Sequence, residues 1–465
     1  MPPLSHARQV SIAFVVACAF LMQGVDSTLL TIAVPVIAAD LGASPLALHL
    51  LITSYLLSLA VFMPVSGWFA DRFGARRVYS GAVILFMTAS ALCAAMPDLW
   101  SMVALRLVQG FGGALMTPVG RMIVLRAFGP GRTLEAMTWL TLPTLLGPLM
   151  GPVIGAVLIE SFDWRILFFV NLPVCLVALI GGWRLFPEQP KGQVTRFDLT
   201  GFAIAGLSLV LFQIAIEVMG RATAPLLPTV LAMAAAVAVF LIYVRHARRV
   251  RHPALEVGLF RKPSFMIGVV AGGIGRAGLN ASAFLVPLML QLGMGFRPLT
   301  AGILAAMAGL GAFASKPILS RLLQRFGFRP VLVWLTLAGS GSLALFALAG
   351  PGWPVWALVG LALLAGATRT LHFNAVNTLT YAGLRDHELS GAVSSAGVFQ
   401  QLTMGLGISL SAAILSQLQG DKPLVSLEDF QLTFFIMALI PLVSLPFVAN
   451  LRPTAETPAP RPANG

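Results

Sequence analysis

Asp26 and Arg106 are the residues whose positions demand chemistry. Asp26 stands in the apolar stretch Gly24-Val-Asp26-Ser-Thr28-Leu-Leu-Thr31-Ile-Ala-Val-Pro35, and Arg106 opens Arg106-Leu-Val-Gln109-Gly110-Phe-Gly112-Gly113. An ionised side chain in hydrocarbon costs several kcal/mol unless it finds a partner or a wet cavity. At 1.5 Å per residue, Asp26 and Arg106 lie about 13 Å and about 9 Å from the same end of their spans, so the two can share a level. Desolvation then favours the protonated carboxyl and the arginine favours the ionised one. A carboxyl balanced in that way can take up and release a proton, as a proton-coupling site must. The alternative is a structural salt bridge.

A second group is unbalanced in charge. Arg276, Lys316 and Arg369 fall within or at the edge of apolar runs in the second half, which has no acid near the middle of a run. Surplus positive charge in a cavity favours an anion over a dication. Asn280, His372, Asn374, Asn377 and Gln400 can add polar contacts to such a cavity, although residues of this kind more often make hydrogen bonds between helices. The expected substrate is, or includes, an organic anion or a metal-chelating acid.

The elements that position these residues follow from composition. The chain has 465 residues, 58% hydrophobic and 10% charged, with a mean hydropathy of +0.89. Soluble domains carry about 25% charged residues. An all-α integral membrane protein is therefore expected, with about fourteen spans of roughly 20 residues. Apolar runs are centred near Ala19, Leu57, Phe86, Gly110, Leu146, Leu176, Ser208, Ala236, Leu279, Gly309, Ala338, Leu364, Gly405 and Ala438. The first run is span-length and lacks a small-residue cleavage site, so it reads as a span and not as a signal peptide.

Of the thirty Lys and Arg, those in the connections sort onto alternate sides, roughly 21 on one and about four on the other, which is the positive-inside pattern. Both termini are expected on the cytoplasmic side of the inner membrane. That pattern, and not a phosphate-binding face, accounts for the formal charge of +13, so nucleic acid is not an expected partner. Cys18, Cys93 and Cys175 all lie in apolar runs and are too few for a disulfide framework or a metal cluster. The six histidines have no convincing ligand or triad spacing. Neither an enzyme nor a metal or other cofactor is expected.

The chain repeats itself. Gly67-Trp-Phe-Ala-Asp71-Arg72-Phe-Gly74-Ala-Arg76-Arg77 follows the second run, and Ser320-Arg-Leu-Leu-Gln-Arg-Phe-Gly-Phe-Arg-Pro330 follows the tenth. Two six-helix halves with matching turns fit a parallel repeat, with a helix pair inserted between them. The boundaries fall at 1–185, 186–262 and 263–450, with a Pro-rich tail at 451–465 that reads as disordered. Within the first copy, Gly67 and Gly74 permit a tight turn and close backbone approach. Asp71 can cap a helix start or pair with an arginine. In the fifth run, Gly147-Pro148-Leu-Met-Gly151-Pro152-Val-Ile-Gly155 places glycines at every fourth residue, a groove for close helix packing, and two prolines loosen the ladder beside it.

These motifs resemble those of the major facilitator superfamily, and nearly the whole chain takes part. The Gly67–Arg77 segment is similar to the family's loop motif G-x-L-a-D-r-x-G-r-r, with Phe69 in place of Leu, and the Arg106 segment to R-x-x-q-G-x-g-a. The Asp26 segment resembles the first-span motif L-D-x-T-i-v-n-v-A-l-P of the fourteen-span drug/proton antiporter branch, with Thr31 in place of Asn. Gly147–Gly155 resembles the G-P-x-x-G-P-x-x-G signature of antiporters. Trp164-Arg165-Ile-Leu-Phe-Phe-Val-Asn171-Leu-Pro173 resembles the branch's W-R-w-i-F-x-i-N-x-P, with an interfacial anchor as its expected role. Asp198-Leu-Thr-Gly201 and His252–Arg261 flank the inserted pair as in that branch. Leu255 and Leu259 suggest that the latter piece lies along the membrane surface.

The resemblance implies a proton-coupled exporter of small molecules working by alternating access between two six-helix bundles. The expected partners are a small-molecule substrate, protons and the lipid bilayer, and a monomer is expected. A symporter or importer of an organic anion shares the fold and is the second reading. A non-transporting membrane protein is the third, and it would be expected to carry a sizeable soluble domain.

Overall fold

The computed structural model describes residues 5–129, 132–187, 197–220, 226–250, 253–420, 422 and 424–451. The tail from Arg452 and His252 lie outside the described residues. The described chain is helical with short connections. The first six spans are α1 (His6–Asp40), α2 (His49–Phe73), α3 (Ala75–Cys93), α4 (Leu99–Phe128), α5 (Thr133–Ser161) and α6 (Ile166–Leu185). The inserted pair is α7 (Leu199–Met219) and α8 (Leu226–Ala247). The last six are α9 (Pro263–Gly293), α10 (Pro298–Phe326), α11 (Phe328–Ala347), α12 (Val355–Tyr381), α13 (Asp386–Gln419) and α14 (Leu427–Ala449).

Among the described residues, 12 of these are long and apolar enough on hydropathy to cross a bilayer. The other two are α3, whose first turn carries Arg76 and Arg77, and α5. Each of the fourteen apolar runs read from the sequence falls on one helix. The even count puts the start of α1 and the end of α14 on the same face, called here the terminal face.

Local sequence explains where helices stop. Gly74 (φ 90°) joins α2 to α3, and Gly327 (φ 75°) joins α10 to α11. Both adopt backbone conformations that side chains resist, at matching places in the two repeats. Gly67 has open space where a Cβ would stand, so no close approach explains it in this conformation. Asp98 caps α4, accepting from the N–H groups of Trp100 and Ser101, each at 2.9 Å. These bonds hold its carboxyl below the usual carboxylate range. Asp198 accepts from the Gly201 N–H at 2.8 Å and from His246 Nε2 at 2.8 Å, so it both starts α7 and ties it to the end of α8.

Packing follows small residues. α5 lies between α1 of the first bundle and α10 of the second, and α2 lies along α13. The pair α7–α8 packs on itself, and α7 touches α2 and α13. α8 points much of its apolar surface outward, with Leu227, Leu231 and Leu241 all more than half exposed, as a lipid-facing helix must. In the segment after α8 the apolar edge faces protein. Leu255 and Leu259 are buried, and the Tyr243 hydroxyl is hydrogen-bonded at 2.7 Å to both the carbonyl and the N–H of Leu255. The segment is docked on protein through these two leucines.

Candidate functional site

Asp26 is brought by α1, Arg106 and Gln109 by α4, and Asn171 by the junction of two helical segments in α6. All four are buried, Arg106 completely (0% exposed). Arg106 Nη1 donates to Asp26 Oδ2 at 2.7 Å and to Gln109 Oε1 at 2.5 Å, while Nε donates to the Leu51 carbonyl of α2 at 2.9 Å. Asn171 Nδ2 donates to Asp26 Oδ1 at 2.7 Å, and Gln109 Nε2 reaches the same oxygen at 3.3 Å. The Tyr55 ring lies 4.7 Å from the guanidinium carbon. Depth counting along the two spans therefore agrees with the geometry.

Asp26 accepts through both carboxyl oxygens from donors on two helices. Protonating it would remove the charge that offsets Arg106 and leave a buried guanidinium facing neutral oxygens, a costly state. The carboxyl thus ties α1 to α4 and α6. Asn171 and Tyr55 were not evident as part of this site from sequence. Asn171 reads as part of an interfacial anchor, and only its place in the Asn-x-Pro step marks it. Within that anchor, Trp164 is buried, with Nε1 donating to Asp40 Oδ2 at 3.0 Å.

The residues flanking Asp26 form the seam with α5. A methyl group added at Gly147 would lie 2.8 Å from the backbone of Gly24, and one at Gly155 would lie 3.1 Å from the Leu29 carbonyl. At Gly151 it would run into the Thr28 hydroxyl. The glycine ridge thus sits on the α1 segment that carries Asp26. The prolines serve the other side of α5. Pro152 has no N–H to give to the Pro148 carbonyl, and that carbonyl lies against Gly309 of α10, 2.9 Å from where a Cβ would stand. The Pro152 carbonyl meets Gly302 in the same way, at 2.6 Å. One helix therefore carries both the contact to the Asp26 segment and the contact to the second bundle.

A mostly apolar cavity lies between the bundles. Thr28 and Thr31 of α1, Pro148 and Pro152 of α5, Val286 of α9 and Arg369 of α12 are among its lining residues. Of the residues expected to form a substrate cavity, Arg369 lines it. Arg276, Asn280, Lys316, Asn374, Asn377 and Gln400 are not among the lining residues. Arg276 is buried and lies over the Phe373 ring at 5.2 Å. Among the described residues, Arg276 Nε, Asn280 Nδ2 and His372 Nδ1 have no hydrogen-bond partner. Lys316 is half-buried. The carbonyls of Asn374 and Gln400 accept from Thr378 and Thr403 of their own helices, at 2.9 and 3.1 Å.

The repeat loop is partly engaged. Arg72 lies over Trp68 and Phe73. Arg76 lies over Trp183 of α6 and donates to its carbonyl. Asp71 makes neither a cap nor an ion pair among the described residues, because it sits inside the last turns of α2 and not at a helix start.

With this geometry in view, the comparisons are decisive. The family model described as Major Facilitator Superfamily matches residues 16–275 and 265–465. The chain belongs to that superfamily. Relatives carrying the name multidrug resistance protein MdtD share 36% identity over 96% of this chain and 93% of the relative in Serratia proteamaculans, and 35% over 96% and 95% in Salmonella heidelberg. Among solved structures, the POT family transporter PepTSo superposes with a TM-score of 0.69 at 15% identity, over 96% of this chain and 98% of that one. The nucleoside transporter NupG superposes at 0.66 and 15% identity, over 96% and 100%. These solved structures share the fold, and the family and its relatives make the chain a multi-pass membrane transporter and not an enzyme.

Proposed function

We propose that this transporter is a proton-coupled antiporter that exports small molecules across the cytoplasmic membrane by alternating access. The bundles of residues 1–185 and 263–450 rock about the cavity between them, and both termini face the cytoplasm, where most Lys and Arg cluster. The observation that carries the reading is the buried Asp26–Arg106 pair, 2.7 Å apart, on the segment of α1 that seats the glycine ridge of α5. A proton arriving at Asp26 breaks the pair. The rearranged α1 then shifts its seam with α5, and α5 passes the movement to α10 through Gly302 and Gly309. The relatives named for multidrug resistance support export of small molecules.

An organic anion is the substrate class that best fits the second bundle, where Arg276 and Arg369 have no acidic partner among the described residues. The test is transport by the purified protein in vesicles with an imposed pH gradient. Solute movement should accelerate with the gradient, run opposite to protons and be competed by organic acids. Uptake in the same direction as protons would favour the symporter. Export of a cationic dye without competition from organic acids would remove the anion assignment.

A further inference from the structure

His49 and Glu217 meet at the face opposite the termini, in contact with each other and not with Asp26. His49 opens α2 and Glu217 lies in the last turn of α7. His49 is buried. Its Nδ1 faces the Leu46 carbonyl at 2.5 Å, and its Nε2 faces both Glu217 carboxylate oxygens at 2.9 and 3.0 Å. Both ring nitrogens therefore look at acceptors. A neutral imidazole carries one N–H and one lone pair, so it would set that lone pair against an oxygen. An imidazolium satisfies both contacts.

The carboxylate joins three parts of the fold. Gln213 of α7 donates to Glu217 Oε1 at 2.9 Å and to Ser409 Oγ at 2.7 Å, and Ser409 of α13 reaches Glu217 Oε1 at 3.2 Å. The first bundle thus contributes His49, the inserted pair Glu217, and the second bundle Ser409. From α9 the neutral Phe284 ring packs edge-on at 6.4 Å. The other charges nearby belong to the Arg106–Asp26 pair, which reaches α2 through the Leu51 carbonyl two residues along.

We propose that His49 and Glu217 form a second proton-binding site, an imidazolium–carboxylate pair whose proton clamps the three parts of the fold together at the face opposite the termini. This site stands whether or not Asp26 couples transport. Losing one ring proton leaves Nε2–H on the carboxylate but removes the ring's charge and sets the Nδ1 lone pair against the Leu46 carbonyl, so the clamp weakens on the alkaline side. Acid strong enough to protonate Glu217 also removes the ion pair.

The test uses full-length protein labelled with ¹⁵N-histidine in lipid nanodiscs, with the His49 signal identified by its loss in His49→Gln. Both ring nitrogens should be protonated at pH 7 in the parent protein. Glu217→Gln, which removes the facing carboxylate, should leave the ring neutral at pH 7. A neutral ring at pH 7 in the parent, or an imidazolium that persists in Glu217→Gln, overturns the site. Spin labels at Ser44→Cys and Trp356→Cys, in a background without Cys18, Cys93 and Cys175, test the clamp. Their separation should grow between pH 7 and pH 9 in the parent and stay constant in His49→Gln. Equal behaviour in the two proteins overturns the clamp.

Discussion

The two bundles share a fold but treat buried cations in opposite ways. In the first, Arg106 has a carboxylate at 2.7 Å and accepting oxygens from Gln109 and Leu51. In the second, Arg276 rests on a phenylalanine ring, with its Nε unpartnered among the described residues. A compensated charge can respond to a proton, because protonation undoes the compensation. An uncompensated cation instead has capacity to spare for an incoming anion. Proton handling in one bundle and anion handling in the other would separate two tasks that a single site would have to alternate.

The largest effect should come from removing compensation. Arg106→Met leaves Asp26 buried without its partner and should destabilise the protein by about 3–5 kcal/mol, read as a lower melting temperature in nanodiscs. Arg276→Met removes a cation with no acid beside it and should be neutral or stabilising, while transport of organic anions falls. Equal losses of stability in the two variants would break the contrast.

The seams come next. Gly147→Val pushes a side chain into the Gly24 backbone and should cost about 1–3 kcal/mol through overpacking, with slower transport. Gly74→Ala and Gly327→Ala place a Cβ on backbone at φ 90° and 75°, each costing about 1–3 kcal/mol. Parallel losses would show that the two halves use their repeated turn alike. The smallest effect is expected at Gly67→Ala, within about 0.5 kcal/mol, because nothing stands within 4 Å of the added methyl. A large loss of stability there would mean that Gly67 serves a conformation packed differently from this one.

The fold was legible because lipid imposes a severe rule: each crossing must be a long apolar helix. Even α3, with Arg76 and Arg77 at its start, and α5, with its prolines, stood out on that basis. Asp26 and Arg106 could be paired because rise per residue converts position into depth. Asn171 could not, since its reach to Asp26 depends on how α6 packs beside α1, a relation no spacing encodes. The glycine period revealed a groove, but only packing tells that glycines face α1 while proline carbonyls face α10. Asp71 looked like a cap because its motif is polar, yet the helix continues past it to Phe73. Leu255 and Leu259 looked like a lipid-facing edge because buried and lipid-facing apolar residues read alike in sequence.

Asp26→Asn tests the central claim most directly, because the amide keeps the shape and can still accept from Arg106 but cannot carry the proton. In vesicles with an imposed pH gradient, the variant should insert, bind and exchange substrate, yet show no acceleration by the gradient. Acceleration equal to that of the parent protein would contradict proton coupling through Asp26.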